Sequence, residues 1–398
     1  MIAAVTPGPL CGTIPAIASK SAAHRLLICA ALSDAPTVLQ CAVEGQDMAA
    51  TIRCLRALGA KIEETNGTLA VTPIENPNPD ALLDVGESGS TLRFLLPVVC
   101  ALGVPARFLL HGRLAQRPLE PLWSELIRRG AVLEKEDNEI RVSGKLWENR
   151  FSLAADVSSQ FLSGILLALP VLCGGELTLT TELQSSGYLD MTVDALGRFG
   201  EEIAREENII RVAPGALHSP GLCPVEGDWS NAAFWLCAGV TVTGLDPDSA
   251  QGDRVAPACI KAIQAGDAVI DCGNIPDLVP PLAALAATCP GTTRFVNAAR
   301  LRLKESDRIA STVQMLTALG ANAGESPDGL RVEGTERLRG GTVDGANDHR
   351  IVMAAAIAAT HCENPVKICG AEAAGKSYAA FWEDFSRLGG HVRWEEEP

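Results

Sequence analysis

Short helical patterns that end in a glycine recur along the 398-residue chain, and a strand-like hairpin usually follows them. Two examples are RALGAKIEETNGTLAV and TALGANAGESPDGLRV. Successive glycines are separated by 71, 70, 66, 54 and 69 residues. They are Gly59, Gly130, Gly200, Gly266, Gly320 and Gly389. Each predicts a helix C-cap in the left-handed region, then a strand, a turn and a return strand. Six units of similar size predict an α/β protein with two domains of three units each.

A second recurring pattern places a polar turn directly before an apolar helical stretch. Seven segments have this form: SKSAAHRLLICAAL, GESGSTLRFLLPVVCAL, DVSSQFLSGILLALP, GDWSNAAFWLCAG, IPDLVPPLAALAA, KESDRIASTVQML and DHRIVMAAAIAA. The first turn of a helix has unpaired N–H donors and a partial positive charge, which attract phosphate and carboxylate groups. One such motif alone is also typical of an ordinary N-cap. Their number in one chain instead favours a site for a ligand with several negative charges.

Charged side chains within or beside these motifs are candidates for that site. The basic ones are Lys20, Arg25, Arg93, Arg117, Lys304, Arg308, Arg350 and Lys376. An arginine fork binds carboxylate or phosphate in bidentate fashion, although any one of these residues could equally be a solvated surface charge. Asp277 and Glu305 could be ion-pair partners, or could divide acid and base work if their surroundings separate their pKa values. His349, between Asp348 and Arg350, could be structural or part of the site.

Composition narrows the class of protein. The chain is 47% hydrophobic and 20% charged, as expected for a globular protein with a substantial core. Its formal charge of −15 argues against nucleic acid and acidic membranes as main partners. No apolar run reaches the ~18 residues of a membrane span, and the N-terminal segment predicts no signal peptide. The thirteen cysteines form no CxxC pair, so we expect buried, reduced thiols, a cytoplasmic location and no metal site.

The series of motifs resembles the 5-enolpyruvylshikimate-3-phosphate synthase family of enolpyruvyl transferases across almost the whole chain. The matching segments are SKSAAHR (19–25), SGSTLRF (88–94), QRP (116–118), SSQFLSG (158–164), SGYLDMT (186–192), EGDWSNAA (226–233), IPD (275–277), RLRLKESDR (300–308), NDHRIVM (347–353) and KS (376–377). A single SSQ or IPD is weak evidence. The order SKS, SSQFLSG, KESDR and DHR is highly specific.

The resemblance implies an α/β (α+β) fold of two lobes, each with three βαβαββ units, as an inside-out α/β barrel. Residues 1–18 and 226–398 would form the first lobe, and residues 19–225 the second, with the active site in the cleft between them. The implied reaction transfers the enolpyruvyl group of phosphoenolpyruvate to the 5-hydroxyl of shikimate 3-phosphate by addition and elimination. The resemblance implies no metal and no cofactor, and we expect a monomer whose partners are these two small molecules.

The resemblance also implies roles for individual residues, by motif. Positions that match phosphoenolpyruvate-binding residues are Lys20, Gly89, Arg117, Gln160, Arg308, Arg350 and Lys376. Positions that match shikimate 3-phosphate-binding residues are Lys20, Ser21, Arg25, Ser158, Ser159, Gln160, Ser185, Tyr188, Asp277, Arg300 and Lys304. Positions that match catalytic residues are Asp277, Glu305, Lys20 and Lys304. Of these, Asp277 resembles the base on the reacting hydroxyl, and Glu305 resembles the proton donor and acceptor at the methylene carbon.

Three positions depart from common versions of the family motifs. Glu87 adds an acid in GESGST, where many relatives have GNAGTA, Ala379 stands where many have proline, and Arg300 where some have asparagine. Two alternatives stay open. A sister transferase that acts on UDP-N-acetylglucosamine would need a cysteine before its RP motif, and HGRLAQRPLEPL has none. A catalytically silent, anion-binding relative would be expected to lack a charged site residue, and none is missing.

Overall fold

The computed structural model describes residues 1–43 and 45–396. Its α-helices are α1 (Lys20–Leu32), α2 (Gln46–Leu58), α3 (Gly89–Leu102), α4 (Leu122–Arg128), α5 (Ser159–Ala168), α6 (Ser186–Arg198), α7 (Trp229–Cys237), α8 (Ala256–Gln264), α9 (Val279–Ala286), α10 (Arg308–Ala318), α11 (His349–Ala359) and α12 (Phe381–Arg387). Its strands are β1 (Ile2–Thr6), β2 (Thr13–Pro15), β3 (Thr37–Gln40), β4 (Lys61–Thr65), β5 (Thr68–Thr72), β6 (Ala81–Asp84), β7 (Ala106–Leu109), β8 (Ala131–Glu136), β9 (Glu139–Gly144), β10 (Arg150–Leu153), β11 (Gly175–Leu179), β12 (Ile203–Glu206), β13 (Ile209–Val212), β14 (Leu222–Pro224), β15 (Thr241–Thr243), β16 (Ala268–Asp271), β17 (Thr292–Val296), β18 (Asn322–Ser326), β19 (Gly329–Glu333), β20 (Thr342–Asp344), β21 (Val366–Cys369) and β22 (His391–Glu395).

Contacts divide the chain into two compact units. One consists of Met1–Ile17 with Gly227–Pro398, and the other is Ala18–Glu226. The chain therefore leaves the first unit after its second strand and returns to it after β14. The family resemblance placed these two junctions after residues 18 and 225. Each unit has its own cluster of buried apolar side chains.

The unit Ala18–Glu226 contains three four-stranded sheets of the same design. Their strand orders are β14-β3-β5-β4, β6-β7-β9-β8 and β10-β11-β13-β12. In each sheet a parallel pair joins an antiparallel hairpin, as β6 and β7 join β8 and β9. With the intervening helices, the chain order within a module is βαβαββ. The first module is closed by β14, the last strand of the unit, which pairs in parallel with β3.

The other unit has two sheets of this design and one shorter sheet. Strand orders are β16-β17-β19-β18 and β20-β21-β1-β22, and in the second of these the N-terminal strand β1 takes the place of the last module strand. The third sheet contains β2 and β15 as a parallel pair within the described residues. The third sheet of this unit is therefore shorter than the other two.

The predicted glycine caps are confirmed in conformation. All six repeat glycines have positive φ angles, between +85° and +123°. A hairpin follows Gly59, Gly130, Gly200 and Gly320, as β4/β5, β8/β9, β12/β13 and β18/β19. Single strands follow the other two glycines instead, because β16 pairs in parallel with β17 and β22 pairs with β1.

The helices that carry the polar motifs are largely buried, whereas the strands have one exposed face. Nearly every residue of α3 and α11 is buried, but β3 alternates buried and exposed positions. Close packing of α3 against α5 depends on Gly164, where a Cβ would lie 2.2 Å from the carbonyl oxygen of Arg93. Buried helices surrounded by sheets place the polar first turns of several helices within each unit's interior.

Candidate functional site

The polar motifs form helix N-termini, as the sequence predicts. Ser19, Ser88 and Asp307 are N-caps of α1, α3 and α10, and their side chains accept a backbone N–H of the first turn. Lys20, Gly89 and Arg308 are therefore the first residues of helices. Ser158 and Ser185 precede α5 and α6 without a side-chain cap bond. Ser185 has a φ of +56° and is buried, which is unusual for a residue with a Cβ.

Lys20 is held by a carboxylate of the neighbouring helix. Its Nζ lies 3.0 Å from Oδ2 of Asp47 in the first turn of α2, and both side chains are about one-seventh exposed (14% and 15%). Asp47 is 27 residues away in sequence, so no local motif predicts the pair. The ammonium group is therefore oriented before any ligand binds.

Gly89 lies against two guanidinium groups. A Cβ at this position would lie 2.6 Å from Nη1 of Arg117 and 2.8 Å from Nη1 of Arg93, so no larger residue fits without displacing them. Arg93 donates to Oε1 of Gln160 at 2.7 Å, and Nε2 of Gln160 donates to Ser90 at 2.8 Å. The start of α3 and the start of α5 thus form one cationic cluster. Arg93 belongs to it, although the motif match gave it no ligand.

Arg25 connects three helices and is buried. Its Nε donates to Thr192 at 2.7 Å, Nη2 donates to Ser163 and to the carbonyl of Tyr188, and Nη1 donates to the carbonyl of Ser21 at 2.6 Å. Burial lowers the pKa of Arg25 to about 10, although electrostatic interactions with Tyr188 and Cys29 act to raise this pKa. Its donors thus join the first turns of α1 and α6 to α5, and binding of shikimate 3-phosphate by Arg25 stays a prediction.

The other predicted shikimate 3-phosphate residues of this unit lie at the same helix starts. Ser21 is in the first turn of α1, Ser158 and Ser159 begin α5, and Ser185 and Tyr188 begin α6. Because Arg25 ties these helices together, the structure brings together side chains that are up to 167 residues apart.

Asp277 lies between two guanidinium groups in the unit formed by Met1–Ile17 and Gly227–Pro398. Its Oδ1 accepts from Nη1 of Arg308 at 2.9 Å, and its Oδ2 accepts from Nη2 of Arg350 at 2.9 Å. Nζ of Lys304 is 3.8 Å from Oδ1. The residue is in the 3₁₀ turn Pro276–Leu278 and is 14% exposed, so part of its side chain contacts solvent.

Arg308 has two further carboxylate partners. Glu305 accepts from Nη2 at 2.5 Å, and the fully buried Asp348 accepts from Nε at 3.0 Å. Asp348 also accepts from Ser306 and from the backbone N–H of Arg350, so one carboxylate joins the KESDR and DHR segments. Burial alone would lower the pKa of Arg308, but the charges of Asp348, Glu305 and Asp277 outweigh it and raise the pKa.

Three more predicted residues lie near this group. Nζ of Lys376 donates to the carbonyl of Asn347, directly before Asp348, at 2.9 Å. Arg300 donates to the carbonyl of Gly273 at 2.8 Å, in the loop before Asp277. His349 is buried, with Nδ1 3.9 Å from Oδ1 of Asp348.

A second buried carboxyl group interacts with Asp277. Asp253 hydrogen-bonds Ser230, and burial, followed by the charge of Asp277, raises the pKa of Asp253 to about 7. No sequence signal indicated Asp253, because QGD has no distinctive spacing relative to IPD.

The described residues contain no group of three or more His, Cys, Asp or Glu side chains arranged to hold a metal ion. Within the same part of the chain, no helix has the length and apolar character needed to cross a bilayer. Each unit contains a group of cationic side chains. In the unit Ala18–Glu226 these side chains lie beside helix N-termini and hydroxyl groups. In the other unit, carboxylates lie between the cations.

Comparison with known proteins decides the family. A family model described as EPSP synthase (3-phosphoshikimate 1-carboxyvinyltransferase) matches residues 5–385. The chain belongs to the EPSP synthase family. Two 3-phosphoshikimate 1-carboxyvinyltransferases, from Clostridium kluyveri and Clostridium novyi, are each 38% identical to it, over 98% of this chain and 97% of theirs.

Solved structures support the fold of this EPSP synthase family member. Two EPSP synthase structures from Acinetobacter baumannii superpose with TM-scores of 0.80, at 24% and 22% identity, and cover 99% and 100% of this chain. The predicted family, the predicted enzyme class and the predicted α/β fold class are confirmed. The roles of individual site residues remain predictions.

Proposed function

We propose that the chain transfers the enolpyruvyl group of phosphoenolpyruvate to the 5-hydroxyl of shikimate 3-phosphate and releases phosphate. The observation that carries the proposal is the position of Asp277, whose two carboxylate oxygens each accept from a different arginine, with Glu305 bound to one of the same arginines. Two guanidinium groups held this close together form a binding site for a carboxylate.

The reaction needs a proton to leave the hydroxyl and another to reach carbon. The substrate carboxylate takes the place of Asp277 between Arg308 and Arg350, and the released Asp277 accepts the hydroxyl proton as oxygen attacks C2. Glu305 donates a proton to C3, which gives a tetrahedral ketal phosphate. Return of the C3 proton to Glu305 then re-forms the double bond as phosphate leaves. Positioned proton transfer of this kind typically contributes ~10²–10⁴-fold.

The other unit supplies groups for phosphate and hydroxyl binding. Lys20, Arg117 and the start of α3 are proposed to bind the phosphoenolpyruvate phosphate, together with Lys376. The serines at the starts of α5 and α6 are proposed to bind shikimate 3-phosphate. Both substrates are anions that repel each other, so cations are needed to hold them together. Fixing two reactants in this way can supply ~7–11 kcal/mol of the barrier reduction.

Two further points belong to the same proposal. We expect a monomeric enzyme. We also expect it to act in the cytoplasm, where thiols stay reduced. Most of the thirteen cysteines are buried.

The test is a phosphate-release assay with purified protein and both substrates. Phosphate release that requires both phosphoenolpyruvate and shikimate 3-phosphate is the expected result. Parallel reactions with UDP-N-acetylglucosamine as the acceptor should release none. Binding of both substrates by calorimetry without phosphate release would instead support a catalytically silent relative.

A further inference from the structure

A chain of buried side-chain hydrogen bonds connects α1 and α2 to the first turn of α3. Nδ1 of His24 is 2.7 Å from Oγ1 of Thr51, which is 2.7 Å from Oγ1 of Thr91. Thr91 in turn donates to Oγ of Ser88 at 2.7 Å. All four side chains are at most 1% exposed. We call His24, Thr51, Thr91 and Ser88 the hydroxyl chain.

The hydroxyl chain ends at groups already assigned to the proposed site. Ser88 is the N-cap of α3, directly before Gly89, and also accepts the backbone N–H of Thr91. Thr91 lies 3.4 Å from the backbone carbonyl oxygen of Asp47, whose side chain binds Lys20. The relative position of Lys20 and Gly89 therefore depends on these bonds as well as on apolar packing.

Counting protons fixes the direction of the bonds. A hydroxyl has one proton, and Thr91 donates its proton to Oγ of Ser88 at 2.7 Å or to the carbonyl oxygen of Asp47 at 3.4 Å, in both cases away from Thr51. Thr51 must then donate to Thr91, and so the N–H at Nδ1 of His24 must donate to Thr51. Nε2 of His24 is left as a buried lone pair without a partner in the described residues. The opposite tautomer would bury an unpaired N–H donor there, which natural proteins largely avoid.

The imidazole is neutral in this arrangement. Burial, with the nearby charges of Lys20 and Arg25, lowers the pKa of His24 to about 3. When the neutral ring carries its proton at Nδ1, each N–H or O–H donor of the hydroxyl chain points its positive end towards Ser88. That end is the helix start at which the anionic substrate is proposed to approach.

We propose that His24, in its neutral Nδ1–H form, is a positioning residue for phosphoenolpyruvate binding, acting through Thr51, Thr91 and Ser88 on the start of α3. The inference rests on the proposed function for the identity of the ligand. His24 itself is not expected to touch substrate, because its ring packs edge-on against Phe94, with centroids 6.3 Å apart.

The tautomer can be measured directly in the intact protein. With ¹⁵N-labelled histidine, NMR should show one imidazole that does not titrate between pH 8 and pH 4 and that carries its proton at Nδ1. Its signals should disappear in His24→Asn, which assigns them. A proton at Nε2, or a ring that titrates in the ordinary range, would overturn the proposed direction of the chain.

Two variants test the functional consequence. Asparagine can place an amide N–H near the position of Nδ1, whereas leucine of similar bulk cannot donate, so His24→Asn should retain function that His24→Leu loses. In His24→Leu we expect KM for phosphoenolpyruvate to rise roughly tenfold, the effect of one lost buried hydrogen bond, with a smaller change in kcat. An unchanged KM in a folded His24→Leu variant would refute the positioning role.

A matched control separates positioning from general loss of packing. Thr37 is a fully buried threonine of the same unit whose hydroxyl bonds Ser219 at 2.7 Å, outside the hydroxyl chain. Thr37→Val should lower stability but leave KM for phosphoenolpyruvate unchanged. If wild-type protein releases no phosphate, the proposed function fails, yet the tautomer and calorimetric phosphoenolpyruvate binding still test the role of His24.

Discussion

Replacement of Asp277 by asparagine should separate substrate binding from catalysis. In the unit that contains Asp277, the cations Lys304, Arg308 and Arg350 face an equal number of carboxylates. The carboxylates are Asp277, Glu305 and Asp348. Phosphoenolpyruvate must therefore compete with the protein's own Asp277 for the two guanidinium groups. The variant removes one negative charge from the position where the substrate carboxylate is proposed to bind.

The magnitude follows from the two contacts at 2.9 Å. Hydrogen bonds to charged groups contribute about 1.5–3 kcal/mol each, and asparagine retains only weaker, neutral ones. If the competing interaction of residue 277 with the arginines is weakened by even about 1.4 kcal/mol, phosphoenolpyruvate binds about tenfold more tightly. The same change removes the proposed base, so turnover should fall by ~10²–10⁴-fold.

Two measurements on Asp277→Asn check this reasoning. Calorimetric titration of phosphoenolpyruvate into protein saturated with shikimate 3-phosphate gives the dissociation constant, and phosphate release gives kcat. The control is Asp328→Asn, which removes an exposed carboxylate from the β18–β19 turn of the same unit. Weaker or unchanged phosphoenolpyruvate binding would refute the competition, and near-normal turnover would refute the role as base.

Three further predictions concern other buried contacts in the two units. Gly89→Ala should weaken phosphoenolpyruvate binding by about 1–3 kcal/mol, because the added Cβ would lie 2.6 Å from Nη1 of Arg117 and displace this guanidinium group. An unchanged KM would contradict the geometry. Asp348→Ala should destabilise its unit by about 3–5 kcal/mol in urea unfolding, because it removes the fully buried carboxylate partner of Arg308. A loss under 1 kcal/mol would count against this. Because burial and two cations lower the pKa of His24 from 6.5 to about 3, unfolding takes up a proton as pH falls below 6.5. Wild type should therefore lose about 1.5–2 kcal/mol more stability than His24→Asn between pH 6.5 and pH 5, and equal losses would exclude this linkage.

Local pattern determined much of this protein. A glycine that caps the C-terminus of a helix adopts the left-handed conformation because of local chain geometry. The positive φ angles of all six repeat glycines could therefore be predicted from sequence. Polar turns before apolar stretches gave the starts of the helices for the same reason, since capping involves neighbours in the chain. The order of motifs gave the family and, with it, the fold class.

Tertiary structure alone decided which charges meet. Asp47 pairs with Lys20 across 27 residues, and Asp277 lies between arginines that are 31 and 73 residues away. The hairpin predicted after Gly266 was replaced by a single strand because its neighbour β17 comes from later in the chain. The hydroxyl chain of His24 likewise joins three helices with no shared sequence signal. Such contacts depend on how helices pack, and packing is set by the whole buried surface rather than by any local run of residues.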